Sequence, residues 1–200
     1  MEVVDLVDRV RDHFVEQFGA FVEQQQARCK LGSAEVKLEL NEPGNYFDQL
    51  YCVDFLKPTP GETEDGDDDS EADDDEADQG VVDFQPAYHL EFESTTGSYG
   101  AMAVSIEQLR WDDVLIFHDL PSLPAERIAE WFELWFDPDD ERYDPDARFA
   151  EVIHALQLND GLVSIDFGTA PAAAFWDMLE LLETAGATEA RITCTADEAG

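Results

Sequence analysis

The residues best suited to chemistry are carboxylates. Between positions 61 and 80 the chain reads GETEDGDDDSEADDDEADQG, with twelve acids and no base among twenty residues. Asp65, Asp67, Asp69, Asp73 and Glu76 fall on positions 1, 3, 5, 9 and 12 of a calcium-loop pattern. That pattern also needs glycine at its sixth position, where this chain has Ser70, and helices on both flanks, where strands are expected. In so acidic a stretch the match has little meaning, and no metal or other cofactor is expected. A second acidic run, DPDDERYDPDA over 137–147, contains Asp137, Asp139, Asp140, Asp144 and Asp146. Aspartate and proline form turns, so Asp144 or Asp146 is expected to cap a helix starting near 146.

Other chemistry is sparse. His13, His89, His118 and His154 show no metal-ligand spacing to one another or to cysteine. His118, followed by Asp119 at a strand end, is the one histidine placed where a general base often projects, yet no nucleophile motif accompanies it. Phe167-Gly168-Thr169-Ala170-Pro171 joins a strand to a helix, where phosphate sites occur. It lacks the required glycine pattern, and Thr169 as N-cap with Pro171 at the first helical position accounts for it. Trp131, Phe132, Trp135 and Phe136 have helical spacing, which makes most of them core. Trp135, followed by Asp137, Asp139 and Asp140, is expected at the rim of that core as an aromatic ridge ringed by acid.

These residues must be positioned by an α+β domain. Val3, Leu6, Val7, Val10, Phe14, Phe18, Phe21 and Val22 mark an N-terminal helix over 3–28. Val36, Leu38 and Leu40 alternate with Glu35, Lys37 and Glu39, predicting a half-buried strand with the charges outward. Further strands are expected at Tyr46–Leu56, Val82–Phe92, Met102–Ile106 and Val114–His118. Together they make a largely antiparallel sheet of about five strands, interrupted by the acidic loop. Helices are then predicted at Ile128–Phe136 and Phe149–Leu156, followed by a strand-helix-strand unit over 162–195. Residues 1–200 are read as one domain, with 61–80 as a disordered insert too charged to bury apolar surface.

Composition narrows the function classes. Forty-eight acids against eleven bases give −37. Taking the twelve insert acids away leaves −25 on the other 180 residues. Such a surface repels nucleic acid and anionic membranes, and attracts cations and basic proteins. Three cysteines without paired spacing fit a reducing compartment. The opening Met1–Asp5 has no secretory character, and apolar runs such as Val114–Phe117 are short, so a soluble cytoplasmic protein is expected.

The sequence therefore points to a non-enzymatic, acidic protein-binding module for a basic protein partner, in the manner of an immunity protein or a nucleic-acid mimic. Its expected partner-binding residues are Asp67, Asp68, Asp69, Glu71, Asp73, Asp74, Asp75 and Glu76 of the insert, with Trp135, Asp137, Asp139 and Asp140. Two alternatives stand beside it. One is adaptation to concentrated salt, which fits the scarcity of lysine (Lys30, Lys37 and Lys57) and the spread of acid. The other is an enzyme whose site is assembled from scattered residues.

Overall fold

A computed structural model describes residues 3–40, 46–58, 80–142, 144 and 146–195. The insert acids from Asp65 to Glu76, including every insert residue expected to bind a partner or a cation, lie outside them.

Helix α1 (Val3–Arg28) buries the predicted stripe Leu6, Val7, Val10, Phe14, Phe18 and Val22. Strand β1 (Ser33–Glu39) follows, then one short helical turn, α2 (Tyr46–Gln49), and β2 (Leu50–Leu56). With β3 (Val81–Val82) these strands form a three-stranded antiparallel sheet in the order β1-β2-β3. Strands β4 (Thr95–Tyr99), β5 (Met102–Ile106) and β6 (Val114–His118) lead to α3 (Ala125–Phe136). Strands β7 (Ala155–Asn159) and β8 (Leu162–Asp166), helix α4 (Ala172–Thr184) and β9 (Glu189–Thr193) complete the order. The second sheet has six strands, β4-β5-β9-β6-β8-β7, antiparallel throughout except for the parallel pair β5–β9.

The α+β class stands, but the single meander is replaced by two sheets. The expected βαβ unit exists as β8-α4-β9, with β6 lying between its two strands.

Two predicted elements are absent. Past β3 the expected strand does not continue: residues 83–94 form no strand among the described residues. Pro86 has no N–H, and side chains take the place of a ladder. Asp54 accepts from the Phe84 N–H at 2.7 Å, and Gln17 accepts from Ala87 and donates to the Tyr88 carbonyl at 3.0 Å each. The helix expected over 149–156 is also missing: the chain runs irregularly through Glu151, at φ +57°, and enters β7 at Ala155. Its backbone bonds run outward: Ala150 N–H to Glu35, Ile153 N–H to Trp135 O, and His154 N–H to Asp166 O. Apolar spacing there matched a helix, but the hydrogen bonds were claimed by tertiary partners.

The core joins α1, α3, α4 and the inner face of the six-stranded sheet. Phe18, fully buried, touches the rings of Phe14, Phe84, Phe149 and His154 at centroid distances of 5.9, 5.5, 5.5 and 5.7 Å. Among the described residues, no helix is long and apolar enough to cross a membrane.

Phe18→Ala removes the ring on which these contacts converge and is expected to cost about 3–5 kcal/mol in urea unfolding. Leu134→Ala, at a position 48% exposed, is expected to change stability by less than about 0.5 kcal/mol.

Candidate functional site

The predicted outward face of β1 is turned inward at Glu35 and Lys37, while Glu39 stays exposed. Glu35 has φ +51°, and its register position against β2 is skipped between the pairs Ala34↔Phe55 and Val36↔Val53. This left-handed backbone is uncommon for a residue with a side chain. It delivers the Glu35 carboxylate, only 3% exposed, into the junction between the two sheets. There it accepts from His154 Nε2 at 3.1 Å, from the Ala150 N–H at 2.8 Å and from the Thr169 hydroxyl. Leu40, expected inside, is instead 43% exposed.

His154 is the centre of this junction. It immediately precedes β7 and is 2% exposed. Its Nδ1 lies 3.1 Å from Asp54 Oδ1, at ion-pair range but out of line for a hydrogen bond. Its backbone bonds both sheets: the N–H donates to Asp166 O at 2.8 Å and the carbonyl accepts from Cys52 N–H at 2.7 Å. Gly168 (φ +48°) lies hard against the ring, where a Cβ would come within 2.1 Å of His154 Cδ2. Only glycine fits that approach.

Burying a charge is unfavourable unless partners compensate it. Burial opposes a proton on His154, but Cys52, Asp54, Glu35 and Asp166 outweigh it and hold its pKa well above 6.5. Burial pushes Asp166 up to about 7, against the lowering pull of the His154 charge. Burial likewise pushes the Cys52 thiol up to about 12, with His154 acting in the opposite sense. A thiol so held is a poor nucleophile, so proximity of cysteine and histidine does not make a catalytic pair here. A cleft of about 370 Å³ opens beside the cluster, lined by Asp54, Asp83, Asp166 and His154 among others. The chemistry this arrangement offers is proton holding: a charged imidazole fixed between carboxylates, with one carboxyl that titrates near neutrality.

The residues singled out in the sequence lie elsewhere. Trp135 is 8% exposed and donates its indole N–H to Asp177 at 3.2 Å, so it is part of the core rather than a surface ridge. Asp137 is also buried, at 6%. As the left-handed C-cap of α3, it accepts from the N–H groups of Glu141 and Arg142 at 3.0 and 3.1 Å. Asp139 and Asp140 are exposed, and Asp140 pairs with Lys37. Asp144 closes a turn with the Asp146 N–H at 2.9 Å, and no helix begins there.

Thr169 does not cap α4, whose N-cap is Pro171. It bridges Glu35 and the Glu151 N–H instead. His118 and Asp119 are not joined either. Asp119 binds the Thr188 N–H and hydroxyl, while burial lowers the His118 pKa.

The buried cluster was invisible in sequence because its members are spread from residue 35 to residue 169. The alternation of Glu35 with apolar neighbours pointed the wrong way. No family model matches the chain, and no curated protein or solved structure matches it either.

The cluster makes a pH prediction. His154 titrates higher folded than unfolded, so its stabilisation is complete below about pH 6.5 and disappears as pH rises through the folded value. Asp166 acts in the same direction between about pH 4 and pH 7, because the folded state keeps a proton that the unfolded state releases. Between about pH 7 and 9 the fall comes from His154, joined by the last part of the Asp166 titration and, toward pH 9, by the raised Cys52 thiol. The melting temperature is expected to fall across that window. His154→Gln, which leaves buried carboxylates uncompensated, should lose about 3–5 kcal/mol at neutral pH and flatten the fall.

Proposed function

We propose that this chain is a non-catalytic acidic module that binds a basic protein partner. The reading is carried by how the scarce cations are used. Arg11 lies along the carbonyls of Thr169 and Ala170, and Lys37 holds the Asp137 carbonyl and the Asp140 carboxylate. Arg191 lies 4.2 Å from the Phe117 ring centroid and pairs with Glu107, and Arg148 covers Phe149 and pairs with Glu23. Each of these cations is taken up locally and offsets at most one acid, so eleven bases leave forty-eight acids in large excess. Asp5, Asp8, Asp12, Glu16 and Glu23 on α1, and Glu126, Glu130 and Glu133 on α3, all face solvent. A field of one sign speeds encounter with a partner of the other and repels nucleic acid. Asp139, Asp140 and the insert acids from Asp67 to Glu76 extend that field in this reading.

The same spread of acid over every helix also favours a second reading, adaptation to concentrated salt, in which the charge serves solvation alone. Stability against potassium chloride separates the two. A binding module is folded in dilute buffer, whereas a salt-adapted one gains stability steeply up to molar salt.

Immobilised protein at low salt is expected to retain strongly basic proteins, with affinity falling steadily from roughly 50 mM to about 500 mM salt. Converting the twelve acids of 61–80 to their amides keeps the loop length and should weaken capture by about tenfold or more. Retention that ignores both salt and partner charge would refute the reading.

A further inference from the structure

Strand β4 is the outer edge of the six-stranded sheet among the described residues, and its sequence TTGSY has no charge and no proline to block pairing. Its free hydrogen-bonding groups follow from its neighbour. Ala103 N–H donates to Thr188 O and Glu107 N–H to Ile192 O, so the odd-numbered positions of β5 face β9. The even positions Met102, Val104 and Ile106 therefore face β4 and bond Tyr99, Gly97 and Thr95. Thr96 and Ser98 are left with N–H and C=O groups directed out of the sheet.

Directly behind this edge is an apolar cavity of about 390 Å³, lined by Val3, Tyr99, Val104, Ile106, Trp176 and Leu179. Gly97 opens it. Its neighbours on the same face, Thr95 and Tyr99, carry side chains, and a Cβ at Gly97 would meet nothing within 4 Å. Tyr99 stacks on Trp176 at 6.1 Å. The rim is acidic: beyond its burial, the carboxylates of Glu180, Asp177 and Glu183 press on the Tyr99 hydroxyl.

Resting on the proposed function, we infer that β4 and this cavity form the docking site for an extended segment of the basic partner. The segment pairs with Thr96 and Ser98 as an added strand, sets an apolar side chain into the Gly97 gap, and places lysine or arginine against Asp177, Glu180 and Glu183. Charge selects this occupant. A second copy of the chain carries −37 of its own, and the acid-rich run 61–80 carries the same sign as the rim.

The probe is a labelled peptide of alternating valine and threonine with two lysines at each end, with a control peptide bearing glutamates at those ends. The full chain is expected to bind the lysine peptide at low salt, to reject the control, and to show amide shifts at Thr96 and Ser98. Ser98→Pro removes an outward N–H without touching the β4–β5 ladder. Gly97→Val fills the gap at a position with ordinary backbone. Each should weaken binding by about tenfold or more with the thermal melt retained.

Equal binding by both variants would overturn the site while leaving the charge-driven capture of basic proteins intact. So would a wild-type chain that captures basic proteins yet ignores the peptide. Self-association lost in Ser98→Pro would put a second copy on the edge and overturn the choice of partner. Failure to capture any basic protein would instead remove the proposed function on which the site rests.

Discussion

The junction between the two sheets is held by an imidazole that must stay charged in a place where charge is costly. His154 sits 3.1 Å from carboxylate oxygens of Glu35 and Asp54, which come from strands of the smaller sheet, while its own backbone is bonded to Asp166 and Cys52. Removing His154 leaves the carboxylates buried without compensation, the condition under which a buried ion pair becomes most damaging to lose. Neighbouring features serve that arrangement. The left-handed Glu35, the glycine at 168 and the non-helical path of 150–154 all bring these groups within reach.

A contrast in charge organises the rest of the molecule. At the sheet junction, the His154 cation is matched against the carboxylates of Glu35, Asp54 and Asp166. Outside, negative charge is left largely unmatched, because forty-eight acids face only eleven bases, and those lie on carbonyls, aromatic rings and single acids. A fold that depended on surface ion pairs for stability would be poorly served by this division, since exposed pairs contribute little. Stability here comes from the aromatic core around Phe18, Phe84, Phe167 and Phe175, which leaves the exterior free to be acidic.

Much of the fold could be read from apolar periodicity. The stripe from Leu6 to Val22 gave α1, Ile128 to Phe136 gave α3, alternation gave β5, and short apolar runs gave β6 and β8, because in each case burial decided the backbone. Reading failed where burial and backbone pairing disagreed. Val152 and Ile153 are buried as expected, but their segment is not helical because its N–H groups find Trp135 and Asp166 rather than the preceding turn. Trp135 was misplaced because helical spacing fixes which residues share a face, not how far the buried stripe extends. Asp137 was misread because a residue written as surface acid can be a cap. The His154 cluster had no sequence signal at all: a buried Glu35 and a solvent-facing Glu35 look the same until the left-handed backbone at Glu35 is seen.

The charge state of His154 decides this account. Nitrogen-15 spectra of the folded protein, recorded near pH 7.5, distinguish an imidazolium from either neutral tautomer by the shifts of the two ring nitrogens. The arrangement of Glu35, Asp54 and Asp166 predicts both nitrogens protonated in the native state, well above the pH at which a free histidine is neutral. A ring carrying a single proton at that pH would contradict it.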